Sequence, residues 1–332
     1  MNLSKKFIVG LVFLAAFAQP VSFTAAQQYS VQPVDIISLY SSATNRVPVI
    51  TCIDVDQSGE ILAMGGDDHL VRIWDMKSRK LIFTIREQLD WVRGISFSDD
   101  RQYFIAVGQD GFIEVRNFND GSLAQKIRDK SRGAHAIAVR PGTNEFAICG
   151  FDPAVPIYST QTGKLVRTLK AHGTSNRALQ FSPDGSLLAV AGRTGIIRVW
   201  NMNSGQIQYE LSGDGRRVNA LAFSADGTRL ATAGEGPNIT MWNMQTGKRQ
   251  LTLPERTGKT YSLAFCGDDI LASGESDNTI RFWDLETKTY FANTAGPNGH
   301  TGTIATLKYD PTNDILISGG FDTTIRFWKL TR

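Results

Sequence analysis

The chain has 332 residues, of which 42% are hydrophobic, 20% charged and 10% aromatic; this is an ordinary globular profile and not a disordered, collagen-like or multi-span membrane one. The formal net charge is +3, and +1 once Lys5 and Lys6 are set aside, too little for a general nucleic-acid footprint. Three cysteines in this length exclude a disulfide-stapled mini-domain, and the 31 glycines call for many tight turns.

Taken in chain order, residues 1–26 read as a secretory signal peptide. Met1–Lys6 is a short basic segment and Phe7–Ala18 a twelve-residue apolar run. Thr24 and Ala26 suit the −3 and −1 positions of a cleavage site, with Ala16 and Ala18 as a second choice. The run is shorter than the roughly 20 residues a spanning helix needs, and no later stretch is apolar enough to replace it. The expectation is a mature chain of residues 27–332 beginning at Gln27, periplasmic or secreted, with no membrane span after signal removal. An uncleaved N-terminal anchor is the alternative. Export reaches a disulfide-permissive compartment, yet an odd cysteine count leaves at least one of Cys52, Cys149 and Cys266 unpaired. All three are read as small buried hydrophobes.

Beyond Val34–Ala43, a spare strand signal, the chain repeats every 42 residues or close to it. Trp74, Arg116, Tyr158, Trp200, Trp242, Trp283 and Trp328 occupy one column, and a turn position stands six residues before each. A second column, Val49, Trp91, Gly133, Ser175, Arg217, Lys259 and Thr303, precedes a run of alternating hydrophobicity. Each period holds four strand signals. In the fourth these are Asn176–Phe181, Leu187–Ala191, Ile196–Trp200 and Ile207–Leu211, separated by Gly, Asp, Asn and Pro turns. No sustained helical period follows residue 26, so an all-β chain is expected. Seven periods leave almost nothing for a second domain.

The motifs within the period are Phe181-Ser182-Pro183-Asp184-Gly185, Phe223-Ser224-Ala225-Asp226-Gly227, Trp74-Asp75, Trp283-Asp284 and Gly299-His300. With these the chain resembles the WD-repeat family over nearly all of its expected mature length. The resemblance implies a seven-bladed β-propeller of four-stranded antiparallel blades. The last repeat ends after its third strand, so Val34–Ala43 is expected to pair with Ile325–Leu330 and shut the ring. By the same resemblance, His300, Ser318, Asp322 and Trp328 form a buried structural relay, not a hydrolase triad. The other repeats are degraded. Arg116 and Tyr158 replace Trp, Pro156 interrupts the third repeat, and a groove around repeats two and three is one consequence of that drift.

The family's usual binding face is the rim around the central channel, and its columns carry two sectors. Arg193, Arg216, Arg217, Arg256 and Lys259 fall on repeats four to six, while Trp91, Phe151 and Phe321 fall on repeats two, three and seven. Aromatic anchors beside arginine are the composition of an interface hot spot. The functional expectation is an exported, non-catalytic scaffold that binds a protein or peptide, with an acidic partner segment suited to the basic sector. No cofactor is expected. No metal-ligand spacing, P-loop, dinucleotide glycine pattern or nucleophile elbow appears, and the paired acids Asp67-Asp68, Asp99-Asp100 and Asp268-Asp269 read as turn formers. The alternatives are a metal- or quinone-dependent propeller enzyme, or a carbohydrate or cell-wall binder that stacks sugars on Trp91 and Phe151.

Overall fold

The structure, a computed structural model, describes residues 29–39, 48–86, 90–129, 133–171, 173–254, 258–294 and 296–331. The expected signal peptide, the last four residues of the expected closing strand (40–43), His172 and Arg256 lie outside the described residues.

Every regular element among the described residues is a strand. β1 is Ser30–Ser38. Blade one follows with β2 (Ile50–Val55), β3 (Ile61–Gly66), β4 (Val71–Asp75) and β5 (Leu81–Ile85). Blade two holds β6 (Val92–Phe97), β7 (Tyr103–Gly108), β8 (Phe112–Asn117) and β9 (Leu123–Arg128). Blade three holds β10 (Ala134–Val139), β11 (Glu145–Gly150), β12 (Ala154–Ser159) and β13 (Leu165–Lys170). Blade four holds β14 (Asn176–Phe181), β15 (Leu187–Gly192), β16 (Ile196–Asn201) and β17 (Ile207–Ser212). Blade five holds β18 (Val218–Phe223), β19 (Arg229–Gly234), β20 (Ile239–Asn243) and β21 (Arg249–Leu253). Blade six holds β22 (Thr260–Phe265), β23 (Ile270–Glu275), β24 (Ile280–Asp284) and β25 (Thr289–Asn293). Blade seven holds β26 (Ile304–Asp310), β27 (Ile315–Gly320) and β28 (Thr324–Thr331).

Blades one to six are antiparallel sheets in sequence order, and the seventh runs β1-β28-β27-β26. Each innermost strand touches the next, and β26 touches β2, so the ring is closed. A four-stranded sheet has two apolar faces, and radial stacking covers both. One apolar cluster fills each gap between neighbouring blades. The cluster between blades four and five, for example, joins Ile197, Val199 and Leu211 to Val218, Leu221 and Trp242. Close stacking sets a steric limit as well. A Cβ at Gly65 would stand 2.4 Å from Val92 Cγ1, and one at Gly319 would stand 2.6 Å from Ile50 Cγ2.

The closing strand is β1, paired antiparallel with β28 from Ser30↔Thr331 to Ser38↔Thr324. It begins four residues before the expected Val34. Pro33 lacks an N–H, and the ladder shifts register between Pro33 and Asp35 rather than ending there. Arg79 of blade one fastens β1 to the ring from outside. Its Nε lies 3.1 Å from Asp35, and its guanidinium stands 3.8 Å from the Phe327 ring centre.

Candidate functional site: the mouth of the central channel

One irregularity recurs in every blade. The pairing of the innermost strand with its neighbour shifts register after the first residue, between Ile50/Cys52, Val92/Gly94, Ala134/Ala136, Asn176/Ala178, Val218/Ala220, Thr260/Ser262 and Ile304/Thr306. The residues passed over are Thr51, Arg93, His135, Arg177, Asn219, Tyr261 and Ala305. A bulge leaves one residue unpaired and re-aims its side chain. Here each of the seven is turned toward the axis. Thr51, Arg93, His135, Arg177, Asn219 and Tyr261 line a cavity of about 340 Å³ together with Arg217 and Glu235. A second cavity of about 220 Å³ shares Thr51, Arg93, Arg177, Asn219 and Tyr261 and adds Ala305.

The cavity is basic. Arg217 Nη1 lies 3.4 Å from Glu235 Oε1, and Lys259 Nζ lies 3.7 Å from the same oxygen. Arg93 donates to Gln109 Oε1 at 2.8 Å and stands 4.6 Å from the Trp91 ring centre. The Nε atoms of Arg93, Arg177 and Arg217 and Nε2 of His135 are shielded from water and make no hydrogen bond among the described residues. A buried donor left unmade costs about 1–3 kcal/mol, so this mouth is held at some expense in stability. Burial, followed by the charges of Arg177, Arg93 and Arg217, pushes the His135 imidazole down to about 4. Burial likewise lowers Arg177, and Arg217 and Arg93 add their repulsion.

The rim column that holds Val49 and Trp91 lies against a second one, the residue just before each turn position: Asp67, Gln109, Phe151, Arg193, Glu235, Ser276 and Phe321. In six blades a backbone N–H of one set bonds to a carbonyl of the other, as in Gln109 to Trp91 (3.2 Å) and Glu235 to Arg217 (2.9 Å); in the third, Ser175 instead donates to Phe151 at 2.9 Å. Trp91 and Phe151 are exposed at 41% and 36%. Phe151 packs on His135 with ring centres 4.3 Å apart. Trp91, Phe151, Arg217 and Lys259 are therefore gathered at the cavity by direct contact with its lining. Arg193, Arg216 and Phe321 are exposed, but the lining does not include them.

Arg93, His135 and Arg177 are the site residues that sequence reasoning missed. Their signal was the same 42-residue spacing, two positions beyond the rim column. Simple alternation assigns Arg177 to the face of Leu179 and Phe181. The misfit of an arginine on that face is the trace of the bulge.

The relay residues meet in blade seven. His300 Nδ1 is 3.0 Å from Asp322, His300 Nε2 is 2.7 Å from Ser318 Oγ, and Trp328 Nε1 donates to Ser318 Oγ at 2.8 Å. Fragments of the same chain recur elsewhere. Trp242 donates to Thr232 (3.0 Å), Trp283 donates to Ser273 (3.0 Å), and Ser273 donates on to the buried Glu275 (2.9 Å). In blade two, Arg116 points its charge at Glu114, with Nη2 2.7 Å from Oε2. In blade three, Tyr158 donates to Asp129 at 2.7 Å. The β11–β12 ladder pairs from Glu145↔Ser159 to Ala147↔Ile157 and stops before Pro156. Beside it a groove of about 560 Å³ runs between blades two and three, lined by Arg128, Asp129, Pro153, Pro156 and Tyr158. Among the described residues, no three His, Cys, Asp or Glu are grouped to hold a metal ion, and no helix is long and apolar enough to cross a membrane.

Comparison with known proteins agrees with this architecture. The family described as IFT122 first beta-propeller matches residues 91–332, and the family described as WD domain, G-beta repeat matches residues 38–75. The chain is similar to a bromodomain and WD repeat-containing protein of Dictyostelium discoideum, at 33% identity over 89 residues, covering 25% of this chain and 4% of that protein. It is similar to THO complex subunit 3 of Arabidopsis thaliana, at 30% identity over 93 residues, covering 28% and 27%. A WD repeat-containing protein 55 homolog of Dictyostelium discoideum is 29% identical over 100 residues, covering 29% and 24%. The chain thus spans less than a third of the length of each of these relatives.

Proposed function

Because the chain belongs to the IFT122 first beta-propeller family and carries WD repeats, we propose that it is an exported, non-catalytic scaffold that binds a protein or peptide across the channel mouth. The observation that carries this reading is the seating of two exposed aromatics on residues of the mouth, Trp91 on the Arg93 guanidinium and Phe151 on the His135 ring. Rigid aromatic anchors offer contact area at little entropic cost, and adjacent guanidiniums attract acidic side chains. Arg217 and Lys259 share one carboxylate, Glu235, so the sector keeps net positive charge for an acidic partner segment. The apolar run Phe7–Ala18 behind Lys5 and Lys6 supports export to the periplasm or beyond.

Affinity capture from the extracytoplasmic fraction tests the binding claim, with Arg217→Glu/Lys259→Glu as the paired variant. Proteins retained by the parent and lost by the charge-reversed variant support recognition at the mouth. Equal capture by both removes the basic sector from the account. N-terminal sequencing of the exported protein tests the targeting claim; it is expected to begin at Gln27, or at Gln19 for the earlier cleavage site.

A further inference from the structure

We propose that the channel mouth is a seat for a phosphate group, held between Arg93 of blade two and Arg177 of blade four with His135 between them. The inference goes beyond protein recognition on the rim and stands without it. Four features support it. Arg177 makes no ion pair or hydrogen bond among the described residues, and its buried Nε has nothing to donate to. Arg93 spends one nitrogen on the neutral amide of Gln109 and leaves its own Nε unmade. The one carboxylate in the lining, Glu235, is already shared by Arg217 and Lys259. The bulges that aim these side chains recur in every blade, so the convergence is built into the ring and does not come from a mobile loop.

Donors approach the mouth from three neighbouring blades. A tetrahedral dianion can accept from all of them, whereas a planar carboxylate has two oxygens and one charge. Arg177, which makes no ion pair among the described residues, and Arg93, whose charge is only partly offset by Asp90 and Asp67 near the rim, supply positive charge to match it. The phosphate is either free or carried on a side chain of a partner, and the chemistry of the seat is the same for both. Once an anion neutralises the arginines, His135 is released from its main repulsion. The groups facing it are Arg93 from blade two, Arg177 from blade four, Arg217 and Glu235 from blade five, and the Phe151 ring of its own blade.

The test is thermal unfolding of the full chain in inorganic phosphate against chloride of equal ionic strength, for the parent and for Arg93→Gln/Arg177→Gln. Phosphate is expected to raise the parent's midpoint along a saturating curve and to leave the variant unmoved. The histidine ring resonances of the parent supply a readout that needs no variant. With phosphate, the His135 titration midpoint should rise from about 4. A capped phosphoserine tripeptide identifies the source. Half-saturation at least tenfold below that of inorganic phosphate means the group arrives on a partner, and equal half-saturation means it arrives free. An equal rise in chloride, an equal rise in the variant, or an unmoved His135 overturns the proposal.

Discussion

Ser318 carries the relay of blade seven, since its hydroxyl meets both His300 and Trp328. Ser318→Ala orphans two buried nitrogens at once, and a loss of about 2–4 kcal/mol is expected in urea unfolding. Asp322 adds a pH dependence. Burial works against its charge, but bonds from His300, the Thr301 N–H and Thr324, with the His300 charge, outweigh it and hold the carboxyl at about 2. A folded pKa below the unfolded 3.8 contributes stability above pH 3.8 that is lost as pH falls toward 2. The shift corresponds to about 2–3 kcal/mol at ~1.4 per unit. Unfolding curves from pH 6 to pH 2 should show this loss in the parent and less of it in Asp322→Asn; parallel curves would refute the assignment. Arg116 behaves differently from the tryptophans whose column it shares. Glu114 is 1% exposed, and Arg116→Ala removes its shortest ion pair. A cost of about 3–5 kcal/mol is expected, recovered when Glu114→Leu and Arg116→Trp are combined.

At the level of the element, β1 decides whether the ring has an edge. Without it β28 would present a bare row of N–H and C=O groups. Removing residues 27–44 is expected to cost several kcal/mol, and unchanged thermal unfolding would sink the closure argument. Arg79→Ala tests the outer clasp. It should lower stability by about 1–2 kcal/mol through loss of the Asp35 pair and the Phe327 face. The strand signals, the closing pair and the four relay residues were legible because periodicity and turn chemistry are local and repeat seven times. The start of β1 was not, since Pro33 argues locally against a strand and only the tertiary ladder overrides it. The channel column was not legible for a related reason. A bulge inverts the facing of one residue without changing the spacing, so Arg93, His135 and Arg177 read as ordinary strand positions until the ladder is seen.

The whole molecule is a ring in which each blade is buried by its two neighbours, and the three cysteines report on that coupling. Cys52, Cys149 and Cys266 are free and buried in three different gaps between blades. Burial pushes Cys52 up to about 12 and raises the other two as well. Native protein should therefore react slowly with thiol reagents at pH 8. If the ring opens as one unit, all three thiols should label at a single rate that follows global unfolding. Three separate rates, resolved by mass spectrometry of the labelled peptides, would mean that blades open one gap at a time.

The antiparallel seam of β1 and β28 places Ser30 beside Thr331, far along the sequence but adjacent in space. Handles fixed at these two residues and drawn apart would load the seam one rung at a time, like a zipper, and not all rungs together in shear. The propeller should thus give way at low force when stretched across that seam. Handles placed within two opposite blades would instead load several interfaces at once. The propeller's resistance to mechanical load would therefore depend on where it is gripped.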